Sequence, residues 1–314
     1  MSSLFIIGNG FDLAHSLPTS YEHFRQYLIR NYPGAVKKSP SFNINSSTMP
    51  DGSEVYDKDE VVSFIMDIIS KAEPYGERWS DIETSLGRLD FEEYLDEMSY
   101  FLDDDDDDDD MWHRAHRNED AAEHFYNVTL KTKELFSEWV NSIDISTVLP
   151  KKKLQDIIDI DNDVFLTFNY TSLLEDLYGA EDVFHIHGER GFQSLPGTEL
   201  IIGHGESRED FENTHVGSEW ALSKIHQSLK KDTKEIIRKS RFFFDILPSV
   251  KNIYSYGFSF SKVDLAYIKE IINKLNKENV TWYLSDYDYK ETREEYKKII
   301  RAFGFKGTLE VFSI

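Results

Sequence analysis

Residues able to do chemistry stand where apolar runs stop. Residues 4–7, LFII, end at Gly8-Asn9-Gly10, and residues 164–168, VFLTF, end at Asn169 and Tyr170. Residues 183–187, VFHIH, end at Gly188; residues 200–202 end at Gly203-His204; residues 252–256 end at Gly257-Phe258-Ser259; and residues 280–284 end near Asp286. Each type has a use there. A glycine turn between a strand and a helix lets backbone N–H groups approach an anion. An asparagine amide orients a hydroxyl or a water. A histidine, with an ordinary pKa of about 6.5, accepts a proton near neutrality. Asp12, just beyond the first turn, adds negative charge if it faces the same place. A bland account exists for each residue alone: Asn169 as a helix cap, His185 or His187 as a packed ring, Ser259 as a cap, Asp286 as a surface charge.

The elements that must position these residues follow from the apolar pattern. Residues 4–7 are apolar on both faces, so they read as a strand buried inside a parallel sheet. The neighbours expected for it are the strands near 164–168 and 253–257. From residue 161 onward strands alternate with helices, which implies a doubly wound α/β fold with a mostly parallel, Rossmann-type sheet. In that sheet ligands bind at the carboxyl ends of the strands, where the residues above collect. Residues 200–202 are expected as one more strand, and residues 223–247 as helix. Between the first strand and the rest, apolar spacings of three and four mark helices over 20–32, 60–71, 91–101 and 116–142. Residues 34–52 read as a polar loop. The expected organisation is therefore an α/β domain of residues 1–54 and 150–314 with an inserted helical domain at 55–149.

Composition narrows the function. The 314 residues carry 35 Lys and Arg against 58 Asp and Glu, for a net charge of −23. Eight of those charges are the consecutive aspartates at 103–110, read as a solvated loop because like charges repel. So negative a chain repels phosphate backbones, which disfavours general nucleic-acid binding. The chain has no cysteine, which removes disulfides, thiolate zinc sites and cysteine nucleophiles. No apolar run approaches a membrane span. The start carries no basic leader. A cytoplasmic protein without a membrane partner is expected.

Five stretches in one order, LFIIGNGFDLAHSLPTSY, TFNYTSLLEDLY, VFHIHG, IIGHGE and YSYGFSFSKVDLAYI, resemble the AbiH family of phage abortive-infection proteins. That family in turn looks like sirtuin-like NAD-binding domains. Those pair a GxG opening with an asparagine after a T-x-N strand, a histidine in an HG turn and a later G-x-S turn. The resemblance implies Asn169 and His187 as the catalytic pair of an NAD hydrolase. It implies Gly8, Gly10, Gly257 and Ser259 as residues around NAD. Asn9 in the same turn, Asp12 by its charge, and Asp286, an acidic residue at a strand end able to accept from the adenosine ribose hydroxyls, complete the expected NAD contacts. Two departures stand out. Sirtuin deacetylases usually carry a four-cysteine zinc module, absent here, which argues against deacetylation. The opening is GNGFD, where sirtuins have an alanine between the glycines and a serine further on.

The chemistry asks little of the protein. Nicotinamide leaves as a neutral group, so no general acid is needed. The site must hold the ribose, stabilise an oxocarbenium-like state and direct a water. NAD is then the substrate and no metal is expected. Two other readings stay open: a nucleotide- or nucleic-acid-processing enzyme using His185, His187 and His204 with a divalent metal, and a nucleotide-binding sensor without turnover. A phage-derived trigger and a homo-oligomer are also left open.

Overall fold

The computed structural model describes residues 3–41, 43–73, 79–102, 111–191, 199–206, 215–276 and 279–314. The aspartate run at 103–110 lies outside the described residues. The chain divides into two compact units: Met1–Ser20, Val140–Ile201 and Asp232–Ile314 form the first, Tyr21–Trp139 and Ile202–Lys231 the second. Residues 55–139 thus fall in the second unit together with 21–54 and 202–231.

The strands, in chain order, are β1 Ser3–Ile7, β2 Ser46–Thr48, β3 Glu54–Tyr56, β4 Val164–Thr167, β5 Val183–His185, β6 Asn252–Tyr256, β7 Thr281–Ser285 and β8 Thr308–Phe312. The first unit is built on a six-stranded sheet in the order β5-β4-β1-β6-β7-β8, every pair of it parallel. Counted along the chain, its strands run third, second, first, fourth, fifth, sixth: the doubly wound, Rossmann-like order. All of β1 is buried, and it pairs with β4 on one side and β6 on the other. That is the placement its two apolar faces demand, since a strand covered on both sides belongs at the centre.

Register follows from side chains on both faces. Phe165, Phe5, Tyr254 and Tyr283 are cross-strand neighbours, and their rings stack in succession at 5.2, 4.9 and 4.7 Å. Such cross-strand aromatic pairs each contribute roughly 0.2–1 kcal/mol. On the opposite face Leu4, Ile6, Ile253, Trp282 and Leu284 form one core with Ile268, Ile271 and Ile272 of the helix Leu265–Lys274. A one-residue slip would exchange the two sets of side chains, so the register is strongly held.

The second unit is mainly helical. Phe24 of the helix Tyr21–Asn31 meets Trp79, Phe136 and Trp139 at ring distances of 5.7, 5.5 and 5.2 Å. Phe64 of the helix Lys58–Ala72 packs on Phe91, Tyr94 and Phe125. Lys231, buried, is paired with Glu83, which also accepts a hydrogen bond from Tyr21 Oη.

Several local expectations are corrected. Residues 200–202 form no strand: Ile201 N–H donates to His187 O at 2.8 Å, and one such bond makes no ladder. The expected helix over 223–247 is broken into Glu219–Ser228, Thr233–Lys239 and Arg241–Phe244. Asp232 restarts it by accepting from Glu235 N–H, the action of an N-cap aspartate. The expected helix over 116–142 is two, Met111–Thr129 and Lys131–Ser142. The polar stretch 34–52 contains β2, which pairs antiparallel with β3. β5 stops at His185, because Gly188 turns the chain with φ +87°.

Candidate active site

The expected catalytic residues stand just past the carboxyl ends of the neighbouring strands β4 and β5. Thr167 and His185 are register partners, and Asn169 and His187 each follow two residues later.

Asn169 is held from below. Its Nδ2 donates to Asp12 Oδ1 at 2.7 Å, and Thr171 Oγ1 donates to Asp12 Oδ2 at 2.7 Å. With the amide nitrogen facing Asp12, the amide oxygen points away from it. That oxygen, Oδ1, is buried and has no hydrogen-bond partner among the described residues. Asn169 is 5 % exposed, and an unmet buried acceptor of this kind is costly unless something arrives to fill it.

Asp12 is itself enclosed, on the short helix Asn9–Ala14. Burial pushes its carboxyl up to about 7, although the hydrogen bonds from Thr171 and Asn169 and the charges of His185 and Arg190 oppose the rise. A carboxyl whose folded value is raised favours the fold while it is protonated. That contribution is complete below the ordinary value of 3.8 and is lost as pH climbs through about 7. The rise from 3.8 to about 7 is worth on the order of 4 kcal/mol. Asp12→Asn keeps a partner for both Asn169 and Thr171 but does not titrate. Urea unfolding between pH 4 and 8 should therefore show wild type losing stability relative to Asp12→Asn as pH rises; parallel pH profiles for the two proteins would refute the assignment.

His187 is 2 % exposed. Its Nε2 lies 3.6 Å from Asp264 Oδ1, and Ser261 Oγ donates to Asp264 Oδ2 at 3.0 Å. Phe168 and Tyr267 contact the imidazole edge-on, with Tyr170 further out. Tyr170 Oη donates to Ile201 O at 2.9 Å. Asp264 is a residue that sequence reasoning missed; only its place in the SFSKVD stretch hinted at it. The space beside Gly188 is filled: a Cβ there would lie 3.0 Å from Glu199 O, and Leu200 follows closely.

His185, expected as a packed rival, is more than packed. Its Nδ1 lies 3.0 Å from Asn169 O and its Nε2 2.7 Å from Glu175 Oε1. Burial opposes its protonation, but the Glu175 hydrogen bond and charge, with Glu189 and the Asn169 carbonyl, push its pKa above the ordinary value. Burial also raises the Glu189 carboxyl; the positive neighbours His185 and Arg190 lower it, while Glu175 and Asp176 raise it further. One ligand atom each from Glu175, His185 and Glu189 lie within 4.8 Å of one another. No spacing rule in the sequence points to that trio.

The glycines have a packing role. Gly8 N–H donates to Tyr256 O at 3.1 Å, Gly10 N–H to Gly257 O at 2.9 Å and Phe11 N–H to Gly8 O at 2.9 Å. The Gly8 and Gly10 amides, expected to face an anion, are thus committed within the chain. A Cβ on Gly8 would lie 2.5 Å from Gly257 O, and one on Gly10 2.7 Å from Gly257 Cα. The helix starts at Asn9. Asn9 is exposed and its Nδ2 donates to Thr19 O at 2.9 Å. Ser259 and Asp286 are exposed, past the ends of β6 and β7, on the other side of β1 from Asn169 and His187. His204 lies in the second unit, with Nε2 3.0 Å from His226 O.

Fold and site together define a doubly wound, Rossmann-like α/β protein with a buried Asp–Asn pair and a His–Asp pair at one rim of its parallel sheet. The chain belongs to the AbiH family, described as bacteriophage abortive infection, whose family model matches residues 4–286. No curated protein and no solved structure gives a significant match. Among the described residues, no helix is long and apolar enough to cross a membrane.

Proposed function

We propose that this abortive-infection protein hydrolyses NAD at the nicotinamide–ribose bond when phage infects. The observation that carries the reading is Asn169: a buried amide oriented by Asp12, its oxygen displayed without a partner among the described residues. That oxygen accepts a hydrogen bond from a ribose hydroxyl or from the attacking water. The C1′–N bond breaks with its electron pair going to the pyridinium nitrogen, which becomes neutral nicotinamide. Water forms the new bond at C1′ and gives up a proton to His187, and Asp264 stabilises the imidazolium. The adenosine half extends towards Gly257, Ser259 and Asp286, whose carboxylate accepts from ribose hydroxyls.

Asn169 and His187 are almost fully enclosed, so NAD reaches them only when the chain around them opens. That fits an enzyme held silent until a phage-derived signal arrives. The second reading, a metal-assisted enzyme acting on nucleotides or nucleic acid, is favoured by the Glu175–His185–Glu189 cluster. The test is to follow NAD and free nicotinamide in infected cells carrying the protein. NAD should fall and nicotinamide rise before lysis. Protection of the culture with an undiminished NAD pool would reject NAD hydrolysis.

A further inference from the structure

We propose that Glu175, His185 and Glu189 bind a divalent cation of the zinc or manganese class. The three come from different places: Glu175 from the helix Leu173–Tyr178, His185 from the end of β5, and Glu189 from the turn after Gly188. Their ligand atoms converge within 4.8 Å. All three residues are half-buried rather than exposed, so this is not a surface gathering of acids.

The hydrogen bonds around His185 give the first argument. Its Nδ1 faces Asn169 O at 3.0 Å. A carbonyl only accepts, so Nδ1 must carry the hydrogen. The lone pair of Nε2 then points at Glu175 Oε1, 2.7 Å away. Two lone pairs at that distance repel, so the pair must share a positive species: a proton at this separation, or a metal ion once the two atoms move apart. A backbone carbonyl taking the far ring N–H is also the usual outer partner of a metal-bound histidine, fixing its tautomer and orientation. Zinc–ligand bonds of about 2.0–2.2 Å at a tetrahedral angle set the two ligand atoms roughly 3.4 Å apart, so binding would open this pair from 2.7 Å.

The second argument is independent of the imidazole. Glu175 Oε2 is buried and has no hydrogen-bond partner among the described residues. Glu189 is brought close enough to Glu175 and Asp176 for their charges to act on it. A cation satisfies the unmet oxygen and offsets the repulsion. One imidazole with two carboxylates suits zinc or manganese better than calcium or magnesium, which prefer all-oxygen shells. Three protein ligands leave positions for water or a substrate oxygen. A cation there would also anchor the imidazole that hydrogen-bonds the Asn169 carbonyl, fixing the backbone of the candidate catalytic residue.

The experiment uses the full chain, stripped with chelator and exchanged into metal-free buffer, then titrated calorimetrically with ZnCl2 and with MnCl2. Bound metal is counted by mass spectrometry. Wild type should bind about one equivalent tightly, and its melting temperature should rise with metal. His185→Gln and Glu189→Gln should each weaken that binding at least tenfold and lose the metal-dependent rise. Glu189→Gln, in a turn, supplies the answer if the buried His185→Gln does not fold. Equal affinity and stoichiometry in wild type and the folded variants would place the metal elsewhere and overturn the proposal. Absence of binding at millimolar metal would mean that a proton alone bridges His185 and Glu175, and would overturn it equally.

Discussion

Asn169→Ala and His187→Ala are each expected to abolish the proposed infection-triggered nicotinamide release and, with it, protection against phage. Loss of a positioned proton acceptor commonly lowers a rate by about 10²–10⁴-fold, enough to silence a defence that must act within one infection cycle. Stability has to be followed alongside. Removing Asn169 takes one of two donors from the buried Asp12, at a cost of about 1–3 kcal/mol. His187→Ala leaves a cavity beside Phe168 and Tyr267. Neither loss should unfold a protein of ordinary stability, roughly 5–15 kcal/mol. Both variants are therefore expected as soluble protein, with Asn169→Ala melting a few degrees lower. His185→Ala should also lower stability, because it removes the links to Glu175 and to the Asn169 carbonyl. A soluble His187→Ala protein that still defends fully ends the NAD-hydrolase reading.

The sheet was readable because burial leaves a simple mark. Residues 4–7 are apolar without alternation, and a strand of that kind must lie between two others; β4 and β6 are those neighbours. Strand ends were readable to within about two residues: β4 stops at Thr167 and β5 at His185, so Asn169 and His187 each lie two residues past a strand end. What escaped depends on partners far apart in the chain. Asp12 meets Asn169 across 157 positions, and nothing in either local stretch names the other. Glu175 and Glu189 read as ordinary acidic residues of a helix and a turn until β5 brings His185 between them. The leucine–isoleucine run at 200–202 has the composition of a strand, yet composition cannot show whether a sheet edge is there to receive it. A glycine pair is ambiguous in a different way. A backbone that must approach a phosphate and a backbone that must approach another backbone ask for the same residue.

That ambiguity is resolved by Gly257→Ala, expected to be among the most destabilising single substitutions in the first unit. Gly257 has φ +64°, a conformation that costs a residue with a Cβ about 1–2 kcal/mol. Space is the larger obstacle. The added Cβ would lie 2.2 Å from Phe11 N and 2.4 Å from Gly10 C. Both are backbone atoms that no rotamer change can move aside. The turn after β1 would have to shift away from the end of β6, straining the Gly10 N–H to Gly257 O bond of 2.9 Å, and a lost hydrogen bond adds about 1 kcal/mol. A total on the order of 3–5 kcal/mol follows, at the upper end of what point substitutions do. Gly179→Ala is the control. Gly179 ends the helix Leu173–Tyr178 at φ +69°, with nothing within 4 Å of its added Cβ. It carries the conformational cost alone, about 1–2 kcal/mol. If the backbone crossing is why residue 257 is glycine, Gly257→Ala melts well below Gly179→Ala in the absence of any nucleotide. Were the glycine there only to admit a ligand, the two would melt alike, and Gly257→Ala would lose nothing but nucleotide affinity in calorimetry.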